Sequence, residues 1–166
     1  MYQKTATRKI LRRPQGKKKN KILILTSYYM EQQFIKSYEE FAKKTNAFVI
    51  RTDRVRNEPK EFPNSKYLNF YVRVYIDIDP EIAAKNTVYN YEDINFVKYE
   101  LHPSYKDRYR VSEDRANKFE IKIWTYGFFD IKASIYMKLA QSLELTGMVK
   151  FTVLPEEKTR NKGEVW

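Results

Sequence analysis

The chain has 166 residues, no cysteine and one histidine, which excludes disulfide bonds, thiolate metal sites and a thiol nucleophile. Its formal charge is +11, yet nine of its 32 lysines and arginines and none of its 21 acids lie in residues 1–21. That cluster could attract nucleic acid or an anionic surface non-specifically, although a solvated leader is the simpler interpretation. No apolar run is long enough to cross a bilayer. We expect an intracellular location, cytoplasmic in a prokaryote and nuclear in a eukaryote.

The N-terminal quarter of the sequence contains a basic tail and one helix. Residues 1–21 lack apolar periodicity and are predicted to be disordered. Residues 22–45 combine a short apolar segment, 22–25, with an amphipathic helix at about 28–45. The helix is indicated by an apolar stripe at helical spacing, formed by Met30, Phe34, Tyr38 and Phe41. This stripe is expected to pack on the domain that follows or on a partner.

Residues 46–154 alternate with period two, which is typical of β-strands. Strands are predicted at 47–55, 67–79, 94–101, 118–124, 128–137 and 148–154, with a turn near Gly147 and a loop or short helix at 80–93. Many strands without βα alternation predict an all-β fold, an immunoglobulin-like antiparallel β-sandwich. Residues 155–166 are predicted to be a C-terminal tail.

The sequence has no pattern typical of an enzyme. A zinc site needs several ligands at defined spacing, and this chain offers one histidine and no cysteine. No nucleophile elbow supports a serine triad, and no glycine-rich loop could hold phosphates. Asp77 and Asp79 indicate a strand running into a loop rather than a cation site. We therefore expect no catalytic residue, no metal and no cofactor.

Two motifs about 20 residues apart resemble those of the YEATS domain family. Residues 101–105 read Leu-His-Pro-Ser-Tyr, and residues 125–129 read Thr-Tyr-Gly-Phe-Phe. The family has a strand that ends in Leu-His-x-Ser/Thr-aromatic, followed later by a Gly-Trp-Gly-x-Phe loop. Here Thr125 stands where the family has glycine and Tyr126 where it has tryptophan, and Phe128 adds bulk. The resemblance covers about residues 46–154 and is nearest to the prokaryotic branch.

The resemblance implies a function in peptide recognition. Eukaryotic YEATS domains are immunoglobulin-fold readers of acetylated or crotonylated lysine on histones. It implies a ligand-binding slot in this chain, formed by His102, Ser104, Tyr105, Thr125, Tyr126, Gly127 and Phe129. Aromatic faces would stack on the flat amide of an acylated lysine, and the Ser104 hydroxyl would hydrogen-bond to it.

Other interpretations remain open for these residues and for the chain. His102 could simply hold the Pro103 turn, while Tyr105 and Phe129 could belong to the core. We expect a non-catalytic peptide-recognition module whose partner is a protein or peptide, with an acylated lysine as the candidate ligand. The alternatives are a scaffolding or signalling domain without an acyl-lysine ligand, and nucleic-acid association through residues 1–21.

Overall fold

The computed structural model describes residues 16–63 and 65–160. The chain divides into two units, Met1–Glu40 and Phe41–Trp166. The described part of the first unit belongs to a long helix, α1 (Gly16–Ala42). The helix begins at Gly16 rather than near residue 28, because the lysine, leucine and isoleucine residues at 17–25 favour a helix and no proline interrupts them. Residues 1–15 of the predicted basic tail lie outside the described residues, and residues 16–21 are helical rather than disordered.

The second unit is a β-sandwich. Its described strands are β1 (Phe48–Arg54), β2 (Lys60–Glu61), β3 (Leu68–Ile78), β4 (Ile94–Glu100), β5 (Tyr109–Ser112), β6 (Ile121–Thr125), β7 (Phe129–Met137) and β8 (Leu143–Val149). In one antiparallel sheet β1 and β6 flank β3, and β2 pairs with the start of β3. The other antiparallel sheet has the order β5-β4-β7-β8. Two short α-helices, α2 (Pro80–Ala83) and α3 (Pro155–Arg160), and two 3-10 helical turns, Tyr91–Asp93 and Arg115–Asn117, complete the described elements. The predicted all-β, immunoglobulin-like sandwich is confirmed.

The core lies between the inner faces of the two sheets. Alternate residues of β3 have no exposed surface, and they pack with equally buried residues of β4 and β7. The members from these three strands include Phe70, Val72, Val74, Ile76, Val97, Tyr99, Ile131 and Ile135. Full burial of one large apolar side chain contributes about 1.5–3 kcal/mol, so this layer is the main source of stability.

Two predictions about strands were wrong, each for a physical reason. The sequence did not indicate β5, because this edge strand has only four residues and leaves Tyr109 and Val111 more than half exposed. The last strand runs over Leu143–Val149 instead of 148–154, and Gly147 lies within it instead of in a turn. A Cβ atom at Gly147 would lie 3.0 Å from Cβ of Ile50. The glycine therefore allows β8 to approach β1 where the two sheets meet.

The segment that follows β8 is anchored by an ion pair. Arg54 on β1 contacts Glu157 on α3 through two bonds, Nη2 to Oε1 at 2.7 Å and Nη1 to Oε2 at 2.9 Å. The two side chains are 10% and 8% exposed. Oε2 of Glu157 also accepts a bond from the backbone N–H of Leu154. Part of the predicted C-terminal tail, 155–166, is therefore fixed to the sandwich.

Replacing Glu157 with glutamine should make stability less sensitive to acid. Hydrogen bonding from Arg54 holds the pKa of the Glu157 carboxyl below its ordinary value. Its stabilisation is therefore complete above the ordinary carboxyl pKa and is lost as the pH falls through the lower value of the folded state. We expect Glu157→Gln to reduce the free energy of unfolding by about 2 kcal/mol at pH 7, measured by urea titration, with a smaller difference at acid pH.

Glu113→Gln is the matched control, because the Glu113 side chain is exposed. It should change the free energy of unfolding by less than about 0.5 kcal/mol. An equal loss in both variants, or a loss in Glu157→Gln that does not vary with pH, would contradict the assigned role of the ion pair.

Candidate functional site

The two sequence motifs meet in one cleft, at the end of the sandwich where β6 ends and β7 begins. The cleft has a volume of about 270 Å³. All seven predicted residues line it: His102, Ser104, Tyr105, Thr125, Tyr126, Gly127 and Phe129. Asn69, Trp124 and Phe128 complete the lining. The structure thus brings together two short segments that a whole strand, β5, and a helical turn separate in sequence.

A turn after β4 sets the orientation of the histidine and the serine. The backbone N–H of Ser104 donates to Nδ1 of His102 at 3.2 Å, so this nitrogen must carry a lone pair. Ser104 Oγ lies 2.9 Å from the same Nδ1 and therefore donates its proton to it. The lone pairs of Oγ are left to accept a hydrogen bond from elsewhere. His102 thus holds the Pro103 turn and orients the hydroxyl at the same time.

Tyr105 is both a packing residue and part of the cleft wall. Its hydroxyl donates to the carbonyl oxygen of Trp124 at 2.9 Å, and its ring centroid lies 5.5 Å from that of Phe129. Burial raises the pKa of the Tyr105 phenol, so the hydroxyl remains a donor at neutral pH. The two proposed roles for Tyr105 and Phe129, core and site lining, are therefore compatible.

The side chain of Thr125 forms two hydrogen bonds within the second motif. The hydroxyl donates to the carbonyl oxygen of Gly127 at 2.8 Å and lies 3.3 Å from the Gly127 N–H, from which it accepts. A glycine at this position could make neither bond. Tyr126, at the tip of the turn, is 41% exposed and stacks on Tyr67 with ring centroids 5.2 Å apart. Thr125, which stands where the family has glycine, therefore restrains the turn that carries Tyr126.

Sequence reasoning missed two residues near the start of β3, Tyr67 and Asn69. The Asn69 side chain is buried, and its Nδ2 donates to Ser65 Oγ at 3.0 Å and to the Tyr67 carbonyl oxygen at 2.9 Å. These bonds fix the amide, and no side chain or backbone group of the described residues donates to Oδ1. The available signal was a lone amide residue within an apolar and aromatic strand.

The cleft is uncharged. None of its ten lining residues is an aspartate, glutamate, lysine or arginine. In the part of the chain that the structure describes, no cluster of histidine and acidic side chains could hold a metal ion. Aromatic faces and a few hydrogen-bonding groups are therefore the chemistry that this site offers a ligand.

None of the helices in the described ranges has the length and hydropathy that a transmembrane span requires.

Comparisons with known proteins find similarity to YEATS domains. One similar solved structure is the Yaf9 YEATS domain recognizing an H3K122suc peptide, with 17% identity, a TM-score of 0.45, and a match over 63% of this chain and 75% of that chain. The Yaf9 YEATS domain bound to H3K27ac has 18% identity and a TM-score of 0.43, over 66% of this chain and 78% of that chain. The yeast AF-9 homolog protein Yaf9 has 18% identity and a TM-score of 0.43, over 64% of this chain and 70% of that chain. No curated protein matches the chain. A family model, the prokaryotic YEATS domain, matches residues 70–146. This span extends from β3 to β8 and contains both motifs, so the part of the chain that forms the cleft is similar to the prokaryotic YEATS domain.

Proposed function

We propose that this chain is a YEATS domain and acts as a non-catalytic module that recognises an acylated lysine in a protein or peptide partner. The observation that carries the proposal is the composition of the cleft. Aromatic side chains line it together with an oriented hydroxyl acceptor, and no charged side chain is among its ten lining residues.

The lining favours a neutral acyl-lysine over an unmodified lysine. An ammonium group that enters the cleft loses hydration, which costs several kcal/mol, and finds no carboxylate in the lining. Cation–π contacts with Tyr126 or Trp124 would return only about 0.5–2 kcal/mol. An acyl amide has no charge to desolvate, can donate its N–H to Ser104 Oγ and can place its apolar tail against Tyr105 and Phe129.

The first test compares peptides that differ only in lysine acetylation. The acetyl-lysine peptide should bind more tightly than its unmodified counterpart in isothermal titration calorimetry. Ser104→Ala should weaken binding of the acetylated peptide about fivefold, because one hydrogen bond is lost. Ser142→Ala is the matched control, because Ser142 is exposed and lies between β7 and β8, outside the cleft lining. Equal affinity for the two peptides, or equal losses in Ser142→Ala and Ser104→Ala, would refute the assignment.

A second test concerns Thr125, whose hydroxyl bonds close the turn that carries Tyr126. Thr125→Val keeps the shape but removes both bonds, and leaves Gly127 polar groups unsatisfied. We expect a loss of about 1–3 kcal/mol in the free energy of unfolding and weaker binding of the acetylated peptide. Thr125→Ser retains the hydroxyl and should preserve affinity. If Val and Ser variants bind the peptide alike, the turn does not depend on this side chain.

The exposed side chains of α1 favour a second candidate function, scaffolding through a partner protein. Between residues 25 and 38, seven large apolar side chains of α1 are between 44% and 67% exposed: Leu25, Tyr28, Tyr29, Met30, Phe34, Ile35 and Tyr38. Most of these values exceed one half, which is unusual for aromatic residues on a helix and is typical of a surface that binds another protein.

The two candidate functions can be separated by substitution. If the helix binds a partner, cross-linking to that protein should survive Tyr126→Ala, which alters the cleft, and should be lost in Phe34→Glu. Lys36→Glu, at another exposed position of the same helix, is the control for charge alone. Loss of the cross-link in Tyr126→Ala with retention in Phe34→Glu would assign the partner to the cleft instead.

A further inference from the structure

Three segments form the cleft, and their charges are not balanced. Residues 65–71 carry one lysine, residues 101–110 carry three cations and one acid, and residues 120–130 carry one lysine and two acids. The five cations are Lys66, Lys106, Arg108, Arg110 and Lys122. The lining itself is neutral, so this excess lies around the cleft rather than inside it.

Ion pairs neutralise three of these cations. Arg108 pairs with Glu100, and Nζ of Lys122 lies 2.7 Å from Oε1 of Glu120. Arg110 lies 3.7 Å from Asp107 in a looser pair.

Lys66, Lys106 and Asp130 therefore remain without a salt bridge among the described residues, and all three are exposed. The two lysines outnumber the one carboxylate, so the surplus charge around the cleft is positive. Lys66 precedes Tyr67, which stacks on Tyr126, and Lys106 follows Tyr105, which packs on Phe129. Each lysine thus adjoins a different aromatic part of the cleft.

We infer that the partner carries acidic residues beside its acylated lysine. The inference rests on the proposed function and adds the chemistry of the flanking sequence. Acidic side chains on either side of a bound acyl-lysine would lie near the two unpaired lysines, whereas flanking lysines or arginines would be repelled. Exposed ion pairs of this kind are weak, so each lysine should change affinity by up to about fivefold, and less at high salt.

The test uses the full chain and three acetyl-lysine peptides of equal length, with flanking glutamates, flanking serines or flanking lysines, each also in unmodified form. By calorimetry at 50 mM and 500 mM salt, affinity should fall in the order glutamate, serine, lysine, with smaller differences at high salt. In the double variant Lys66→Glu, Lys106→Glu this order should reverse. The basic residues 1–21 are present in both proteins, so their contribution is common to both.

Lys85→Glu is the control, because Lys85 is exposed and follows α2, beyond the end of β3 that is remote from the cleft. It should keep the preference for flanking glutamates. A double variant that retains this preference would overturn the inference, as would a Lys85→Glu variant that loses it equally. Binding of a single-stranded oligonucleotide that the double variant loses, with peptide preference unchanged, would assign the lysines to nucleic acid and also overturn it.

The two levels of the proposal fail in different ways. If acetylated and unmodified peptides bind alike with every flanking sequence, the proposed acyl-lysine recognition fails. If acetylation still strengthens binding but the flanking residues make no difference, only the inference about an acidic partner fails.

Discussion

Two tyrosine hydroxyl groups fix the strands that carry the site. The Tyr99 hydroxyl, on β4, reaches across the core and donates to the Phe119 carbonyl oxygen at 2.9 Å, just before β6. Tyr105 makes the equivalent bond to Trp124 near the end of β6. Burial raises the pKa of both phenols, so both groups remain donors at neutral pH. The segment that leads into the first motif and the strand that leads into the second are therefore held together at two points, and the shape of the cleft depends on this pairing.

The chain enters β6 through two residues in a left-handed conformation. Lys118 and Phe119 both have φ of 57°, a region that costs a non-glycine residue about 1–2 kcal/mol. Their N–H groups donate to the Arg115 and Asp114 carbonyl oxygens, and Phe119 has no exposed surface. Burial of a phenylalanine side chain contributes about 1.5–3 kcal/mol, which is enough to offset the strain at its own position. The strained corner is therefore stable, and it directs β6 towards the cleft.

The alternation of apolar residues predicted the sandwich because inner-face residues such as Val72 and Ile135 must be buried on every second position. It could not predict β5 or the extent of β8, since edge strands are specified by their partners rather than by their own pattern. The family resemblance identified seven lining residues but not Asn69. Asn69 matters because Ser65 and the Tyr67 carbonyl oxygen accept from its Nδ2, which leaves Oδ1 to accept from a ligand, and this arrangement exists only in the folded chain. The hydrogen bonds of the Thr125 hydroxyl could not be predicted either, because the family has glycine at that position.

At the end of the sandwich that carries the cleft, side chains satisfy backbone polar groups that strand pairing would satisfy within a sheet. Thr125 satisfies Gly127, and Tyr105 satisfies Trp124. Because these polar groups already have partners, few are left for a ligand: Ser104 Oγ and Asn69 Oδ1 can accept a hydrogen bond, and Nε2–H of His102 can donate one. A ligand that suits such a site must bring hydrogen-bonding groups and apolar surface rather than charge, since a buried charge without a partner is costly. Under the proposed function, the uncharged lining would select an acylated lysine over an unmodified one. Lys66 and Lys106, outside the lining, would select the residues that flank it.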